Sequence, residues 1–425
     1  MNYKSQFLQI LSKKGFLHQA THLEELDELM SKEKITAYIG FDCTAKSLHV
    51  GSLMQITILR ILQKCGHQPL VLIGNGTTKV GDPSGKDKER QLLDSQQIQK
   101  NADGIKKTLE KFDLSNENSN FKPFKFIQNS DWLESLNYID FLRDFGKSFS
   151  VNKMLTMDSV KLRLERQQSL SFLEFNYMIL QSYDFFILNR DYHCQLQIGG
   201  SDQWGNIIQG VDLVRRKTQK SSFGLTTTLL TNAQGKKMGK TENGAVWLDS
   251  EMLSPFDYFQ YFRNIADEDV QKFLNLFVED DFAVDDFKNI NLAKEKLAFE
   301  VTKICHGEQG AKNALQKAQE IFIKKNNNSF TKKEVFFTEA EIKKGVSLVE
   351  VIFQCKIFES KAEGKRQIKG NAVRVNGEKI SDIGFLIKEK KFDLQIGKKI
   401  LYHNFIKINN HISINRFYIS NLYVW

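Results

Sequence analysis

The sequence predicts an α/β fold on a parallel sheet, followed by an α-helical domain and a small α+β domain. Three observations lead to this prediction. Strand-like apolar stretches alternate with helix-length segments over the first 240 residues, helical patterns dominate from about 250 to 325, and a short mixed pattern starts near 345. A chain of 425 residues is long enough for two or three domains.

The elements of the sheet domain follow from the spacing of apolar residues. Alternation predicts a strand, a run such as PLVLI predicts a strand buried on both faces, and a repeat of 3.6 residues predicts a helix. The predicted elements are strands at 35–41, 69–73, 124–128 and 194–198, helices at 50–65 and 166–188, and a strand end with an exposed basic loop at 226–240. In such a sheet, ligands bind at the carboxyl ends of the strands.

Shifts in pattern also predict the domain boundaries. The polar stretch KKNNNS at 324–329 indicates a linker. The predicted division is 1–240 for the sheet domain, 241–328 for the helical domain, 329–344 for the linker, 345–408 for the small domain and 409–425 for an extra tail without an assigned role.

Composition argues against several classes of protein. Hydrophobic residues make up 41% and charged residues 26%, no apolar run is long enough for a membrane span, and residues 1–20 lack the apolar core of a signal peptide. The five cysteines show no CxxC spacing, so neither a disulfide framework nor a zinc site is predicted. We therefore expect a cytoplasmic protein without a membrane partner or a bound metal, with an organelle matrix as the alternative location.

The net charge of +9 is unevenly distributed. Residues 341–425 hold 16 Lys and Arg against 8 Asp and Glu, whereas residues 1–340 hold 44 against 43. A basic C-terminal piece indicates a polyanionic partner such as nucleic acid, although a solvated lysine-rich surface is an alternative.

Two turns in the first part of the chain suit a nucleotide. In HVGS, His49 precedes a helix N-terminus, where it can donate to a phosphate, and Gly51 lets a flat base approach the backbone. In GTTKVGDPSGK, the carboxylate of Asp82 can hold an ammonium or ribose group, and Lys86 and Arg90 can attend phosphates. Each turn alone is also compatible with a structural role.

Three later features add to this pattern. Tyr177, Gln181 and Asp184 share one face of a predicted helix, and such a polar face within an apolar helix needs partners, which solvent or a ligand can supply. IGGSDQWGN resembles a strand-to-helix turn near a nucleotide, with Ser201 and Asp202 as capping residues. The lysines of GKKMGKT lie on a glycine-flanked loop that can close over a triphosphate, although a simply solvated loop is the alternative.

Together these motifs resemble the bacterial-type tyrosyl-tRNA synthetases. YIGFDCTAKSLHVGS, GDPSGK, YMILQSYDF, LQIGGSDQWGN and KMGKT occur in the order and approximate spacing of that family. The resemblance implies a Rossmann-like catalytic domain, an α-helical anticodon-side domain and a small RNA-binding domain. It also implies a homodimer that joins L-tyrosine to tRNA(Tyr), using ATP with Mg²⁺.

The resemblance further implies a role for individual residues. Tyrosine would be bound at its phenolic hydroxyl by Tyr38 and Asp184, at its ammonium group by Asp82, Tyr177 and Gln181, and near its carboxylate by Gln203. The ribose and adenylate would be lined by Asp42, Gly51, Gly200 and Asp202. The terminal phosphate of ATP would meet Thr44 and His49, and the leaving pyrophosphate would meet Lys86, Arg90, Lys237, Lys240 and Thr241.

The C-terminal domain resembles a small RNA-binding module shared with a ribosomal protein. Two short helices are followed by a VRVNGEK turn into a strand. The residues expected to contact the tRNA backbone are Lys361, Lys365, Arg366 and Lys369.

The chain departs from the family pattern at two positions near the nucleotide. Cys43 stands where the family usually has proline, so a less rigid turn is expected. Ser52 replaces the second histidine of the ATP motif and is expected to make a weaker or water-bridged contact. Two alternatives are a tryptophanyl enzyme, disfavoured by Tyr38 and Asp184, and a catalytically impaired RNA-binding protein of the same architecture.

Overall fold

The computed structural model describes ten segments of the chain, namely residues 3–84, 93–241, 244–279, 282–328, 339–354, 358, 360–388, 392–396, 400–403 and 418–420. The chain divides into two compact units, Met1–Leu315 and Gln316–Trp425. No helix in these segments is both long and apolar enough to cross a membrane.

The first unit is built on a six-stranded sheet. Its strands are β1 (Leu17–Ala20), β2 (Thr36–Asp42), β3 (Gln68–Gly74), β4 (Lys125–Gln128), β5 (Cys194–Gly200) and β6 (Phe223–Thr227). The order is β1-β6-β5-β2-β3-β4, with β1 antiparallel to β6 and the other neighbours parallel. A two-stranded ribbon, β7 (Lys240–Thr241) with β8 (Gly244–Ala245), follows the sheet.

The strand order places a ligand crevice in the middle of this sheet. From β2 the chain proceeds through β3 to β4 on one side, and β5 and β6 lie on the other side. The direction of winding therefore reverses between β2 and β5, and ligands of open α/β sheets bind at the carboxyl ends of the strands at such a point. The predicted strands at 35–41, 69–73, 124–128 and 194–198 are confirmed.

The helices of the first unit surround the sheet and then form a separate helical run. They are α1 (Gln6–Lys13), α2 (Leu23–Lys32), α3 (Leu53–Lys64), α4 (Ser95–Glu110), α5 (Ser130–Leu133), α6 (Tyr138–Asp144), α7 (Val151–Leu155), α8 (Asp158–Glu165), α9 (Phe172–Tyr192), α10 (Trp204–Thr218), α11 (Pro255–Arg263), α12 (Asp267–Phe277) and α13 (Ile290–Asn328), which continues into the second unit beyond Leu315. Within α13, Gly307 has a φ of 75°, and the helix is kinked there.

Two helix boundaries differ from the sequence-based prediction. The helix predicted from residue 166 begins at Phe172, because Gln167 has a φ of 53° and Ser171 forms a capping box with Glu174. The KKNNNS stretch at 324–329, which indicated a linker, is helical in α13 as far as Asn328, the last residue of the predicted helical domain, since lysine and asparagine do not by themselves end a helix.

The second unit contains a small antiparallel sheet with short helices. Its helices are α14 (Glu339–Lys344), α15 (Leu348–Gln354) and α16 (Lys361–Lys369), and its strands are β9 (Val346–Ser347), β10 (Val373–Val375), β11 (Glu378–Ile380), β12 (Leu386–Ile387), β13 (Asp393–Ile396), β14 (Ile400–His403) and β15 (Tyr418–Ser420). The sheet order is β11-β10-β13-β14-β15, and β12 pairs with β9. Strand β15, at one end of this order, belongs to the tail 409–425, for which the sequence suggested no role.

Candidate active site

A buried tyrosine and a buried carboxylate define one end of the site. Tyr38 lies on β2 and Asp184 on α9, and each is 2% exposed. Asp184 accepts hydrogen bonds from Asn129 Nδ2 at 3.0 Å and Trp132 Nε1 at 2.7 Å. The Tyr38 hydroxyl has no hydrogen-bond partner within the described segments. A buried hydroxyl without a partner is costly, so this end of the site suits a ligand with a polar group.

Burial sets the protonation of these two groups. The pKa of Asp184 is raised to about 7, chiefly because burial disfavours its charge, while the bonds from Asn129 and Trp132 oppose this rise. The pKa of Tyr38 is raised well above 10 by burial and by nearby Asp184. Near neutral pH, the Tyr38 hydroxyl is therefore protonated and can donate a hydrogen bond, and the partly ionised Asp184 carboxyl can accept one.

Asp42, at the carboxyl end of β2, is bonded by two hydroxyl groups. Tyr177 donates to its carboxylate at 3.0 and 3.1 Å, and Thr77 Oγ1 lies 3.2 Å from Oδ1. Burial and the neighbouring carboxylate raise the pKa of Tyr177 well above 10, so that it remains a donor. Tyr177, expected at the ammonium group of tyrosine, is thus bonded here to the residue expected at the adenylate.

A chain of amides links α9, the GDPSGK turn and α10. Gln181 Nε2 donates to Gln203 Oε1 at 3.3 Å, and Gln203 Nε2 donates to Asp82 Oδ2 at 2.8 Å. The backbone N–H of Ser84 donates to Asp82 Oδ1 at 2.9 Å. Asn206 Nδ2 donates to Gln181 Oε1 at 2.9 Å and so fixes the amide orientation. The structure therefore brings together three of the residues predicted to hold the amino acid's polar groups, Asp82, Gln181 and Gln203.

The HVGS turn packs against the basic loop that contains KMGK. His49 Nδ1 accepts a hydrogen bond from the N–H of Gly51 at 3.0 Å. A Cβ on Gly51 would stand 2.7 Å from the His49 ring and 3.1 Å from the carbonyl oxygen of Met238, so glycine is required. A Cβ on Gly239 would likewise stand 2.7 Å from His49 Nδ1. The predicted helix over 50–65 starts as a 3₁₀ turn at Val50–Ser52, before α3.

The strand-to-helix turn after β5 meets the same basic loop. Lys237 Nζ lies 2.9 Å from Asp202 Oδ2 in a partly exposed ion pair. The sequence predicted Ser201 and Asp202 as capping residues, which is wrong, because neither end of this turn has a side-chain cap. Asp202 is instead bonded to Lys237 of the GKKMGKT loop. Gly200, the last residue of β5, is buried beside it.

The turn that leaves β2 is held by hydrogen bonds at Cys43. Its N–H donates to Thr78 Oγ1 at 2.7 Å, and its carbonyl accepts from Asn101 Nδ2 at 2.8 Å. Proline at this position could not make the first bond. The less rigid turn expected from the missing proline is therefore tied to the neighbouring loop by other means. Thr44, the next residue, is exposed.

Several predicted residues lie outside what the structure describes. Lys86 and Arg90 fall outside the described segments. Lys240 and Thr241 form strand β7, but their side chains are not among those that the structure describes. In the second unit, Lys365, Arg366 and Lys369 are exposed on α16, and Lys361 is bonded to Glu350 at 2.6 Å.

Three residues that the sequence analysis did not select belong to the site. Asn129 and Trp132 hold Asp184, and Thr77 contacts Asp42. Asn129 is fully buried and directly follows β4. A polar residue at the carboxyl end of a predicted parallel strand was the available signal, since ligands bind at that edge.

Comparison with known proteins places the chain in a family. Residues 30–323 match the model for tRNA synthetases class I (W and Y), and residues 329–396 match the Tyrosine--tRNA ligase SYY-like C-terminal domain. A tyrosine--tRNA ligase of Ehrlichia ruminantium (strain Gardel) is 52% identical over 412 residues, covering 94% of this chain and 97% of the relative. One from Wolbachia sp. subsp. Brugia malayi (strain TRS) is 50% identical over 414 residues, covering 94% and 98%.

A solved structure supports the same assignment. The C-terminally truncated mitochondrial tyrosyl-tRNA synthetase of Aspergillus nidulans is 27% identical with a TM-score of 0.64, covering 74% of this chain and 94% of that one. Fold and motifs define a class I aminoacyl-tRNA synthetase. Within that class, the chain belongs to the tyrosine--tRNA ligases, enzymes that form an aminoacyl-tRNA. The predicted fold class and function are confirmed, and the tryptophanyl alternative is not.

Proposed function

We propose that this chain activates L-tyrosine with ATP at the crevice between β2 and β5 and transfers it to tRNA(Tyr). The observation that supports this site most strongly is the buried hydroxyl of Tyr38, which has no hydrogen-bond partner among the residues that the structure describes and lies near the ionisable carboxyl of Asp184. A phenol can accept from the first and donate to the second. Phenylalanine would leave both groups unpaired, and tyrosyl-tRNA synthetases are themselves the standard example of discrimination by this effect.

The other polar groups of tyrosine would be held by the amide chain. Asp82, Gln181 and Tyr177 would take the ammonium group, and Gln203 would lie near the carboxylate. This assignment is supported by the hydrogen bond from Gln203 to Asp82, because the two residues are in direct contact. Asp42, Gly51, Gly200 and Asp202 would line the ribose and adenylate.

The activation step needs orientation and charge stabilisation more than proton transfer. The carboxylate of tyrosine is already ionised, and its oxygen attacks the α-phosphorus of ATP. A C–O–P bond forms, the α–β phosphoanhydride bond breaks, and pyrophosphate leaves with the electron pair. Cations near the pyrophosphate stabilise the charge as it develops.

Residues of the YIGFDCTAKSLHVGS stretch, of the segment that begins at GDPSGK and of the GKKMGKT loop would supply this stabilisation. Thr44, His49 and Ser52 would contact the terminal phosphate, and Lys86, Arg90, Lys237, Lys240 and Thr241 would meet the leaving pyrophosphate. Packing of Gly239 against His49 supports the meeting of the two sets of residues. Mg²⁺ would be bound mainly through phosphate oxygens and water, because the described segments contain no group of three potential metal-ligating side chains.

The second unit would bind the tRNA. Exposed Lys365, Arg366 and Lys369 on one short helix suit salt-sensitive contacts to phosphates, and Lys361 would need to leave Glu350 to join them. The transfer step forms an ester between tyrosine and the terminal ribose of the tRNA and releases AMP.

We further propose that the enzyme is a homodimer in the cytoplasm. Large apolar side chains are exposed between α6 and α9, including Ile139 at 67% and Phe172 at 70%, and exposed apolar surface of this kind is typical of a protein interface. Cys43, Cys65, Cys194 and Cys305 are free thiols, which suits a reducing compartment.

Amino-acid-dependent exchange of pyrophosphate into ATP tests the proposed activation step directly. The assay is run with tyrosine, phenylalanine and tryptophan at equal concentrations, with the Tyr38→Phe variant as a matched control that retains the ring. We expect exchange with tyrosine, a preference over phenylalanine of about 10⁴-fold or more, which is the level known for this class of enzyme, and reduced preference in the variant. Absence of tyrosine-dependent exchange in the unaltered chain would overturn the proposal.

A further inference from the structure

A continuous series of hydrogen bonds joins the two carboxylates at the ends of the site. Asn129 Nδ2 donates both to Asp184 Oδ2 and to Thr77 Oγ1, each at 3.0 Å. Thr77 Oγ1 in turn lies 3.2 Å from Asp42 Oδ1. Only two residues therefore separate the carboxylate expected at the phenol from the carboxylate expected at the nucleotide.

The amide of Asn129 is fixed in the orientation that this series requires. The residue is fully buried, and its Oδ1 accepts the backbone N–H of Gly76 at 2.8 Å. An N–H can only donate, so the atom that it contacts must be the oxygen. The nitrogen of the amide, with two hydrogens, is left to serve Thr77 and Asp184.

The hydroxyl of Thr77 has one hydrogen and two acceptors at equal distance. Asp42 Oδ1 and the carbonyl oxygen of Gly74 each lie 3.2 Å from Oγ1, and the side chain is buried. The single hydrogen can make a good bond with only one of them at a time. Which acceptor it favours depends on the charge at Asp42 and on how strongly Asn129 donates to the same oxygen.

We propose that Thr77 is a positioning residue that couples the tyrosine and nucleotide halves of the site. A phenol that donates to Asp184 partly neutralises that carboxylate and weakens the hydrogen bond that it accepts from Asn129. Asn129 then donates more strongly to Thr77, whose hydrogen turns towards Asp42 and orients that carboxylate for the ribose. Occupancy of one half therefore favours occupancy of the other. This inference rests on the proposed placement of tyrosine at Asp184 and of the nucleotide at Asp42.

The experiment measures this coupling by equilibrium binding. The dissociation constant of tyrosine is determined by calorimetry without and with saturating α,β-methylene-ATP and Mg²⁺, and the ratio of the two constants is the coupling. We expect a ratio of about 5 in the unaltered chain, at the lower end of the usual range of coupling between sites. Thr77→Val keeps the branched shape but lacks the hydroxyl, and we expect its ratio to fall to about 1.

A further variant separates the hydroxyl of Thr77 from the packing of the turn. Thr77→Ser retains the hydroxyl and is expected to keep the coupling.

Several results would overturn the inference while leaving the proposed function intact. They are a ratio near 1 in the unaltered chain, an unchanged ratio in Thr77→Val, and a loss of coupling in Thr77→Ser equal to that in Thr77→Val. The first of these needs no variant, so the test survives even if Thr77→Val fails to fold. Failure of the proposed function looks different, because the unaltered chain would then show no tyrosine-dependent pyrophosphate exchange.

Discussion

Replacing Trp132 with phenylalanine should shift the pH dependence of tyrosine use. The Trp132 indole donates to Asp184 Oδ1 at 2.7 Å, and this bond holds down a pKa that burial raises to about 7. Phenylalanine keeps an aromatic ring but has no donor. Because a hydrogen bond to a charged group contributes about 1.5–3 kcal/mol and each pKa unit corresponds to about 1.4 kcal/mol, the pKa of Asp184 should rise by about one to two units.

The sign of the effect follows from the direction of that shift. At pH 7.5 about three quarters of the Asp184 carboxyl groups are ionised in the unaltered chain, and less than about a quarter would be in Trp132→Phe. The neutral carboxyl is a weaker acceptor for the substrate's phenol. We therefore expect kcat/KM for tyrosine at pH 7.5 to fall by about 3- to 20-fold, with the deficit shrinking as the pH rises above 9.

Pyrophosphate exchange at limiting tyrosine, measured from pH 6 to pH 10, checks this prediction. The acidic limb of the profile should move upward by the same one to two units. Asp184→Asn in the Trp132→Phe background is the control, since an amide has no such titration and the limb should disappear. A deficit of equal size at every pH would show that Trp132 acts by packing, and the electrostatic reasoning would be refuted.

Three other predictions concern separate parts of the molecule. Lys240→Ala should depress adenylate formation far more than tyrosine binding, as pre-steady-state kinetics would reveal; equal losses would remove its transition-state role. Deletion of 341–425 should spare tyrosine activation and cripple tRNA charging, and loss of both would indicate a need for this region in folding. Buried His67 accepts the N–H of Ile35, and burial lowers its pKa to about 4, so the stability that it contributes is complete above about pH 6.5 and is lost as the pH falls towards 4. Urea unfolding should show about 2 kcal/mol less stability at pH 5 than at pH 7.5 from this group, absent in His67→Gln.

The sequence predicted the elements of the sheet because their signals are local. A buried strand such as β3 is a continuous apolar run, and its length is limited by Gly74. The start of α9 was placed six residues too early, since apolar periodicity does not mark where a helix begins. The residues Ser171 and Glu174, spaced as a capping box, were the signal for the true boundary.

The site was predicted only where its residues belong to motifs. His49, Asp82 and Asp202 each lie in a short stretch with glycine or serine, and such stretches are recognisable without knowledge of their neighbours. Asn129 and Trp132 act through Asp184, which is 52 or more positions away in the sequence. No periodicity connects residues so far apart. The pairing of β4 with β3 places Asn129 at the carboxyl edge of the sheet, and Asp184 reaches it from helix α9.

The donors on the three buried or half-buried carboxylates explain how one site serves groups of opposite charge. Asp42 is contacted by hydroxyls, Asp82 by an amide and a backbone N–H, and Asp184 by an amide and an indole. These donors are neutral, so they orient the carboxylates without cancelling their charge. Lys237, in contrast, lies on an exposed loop, where its ammonium group can contact the pyrophosphate. Fixed carboxylates inside and cations on loops are the arrangement that a reaction needs when its substrate carries an ammonium group and its leaving group is an anion.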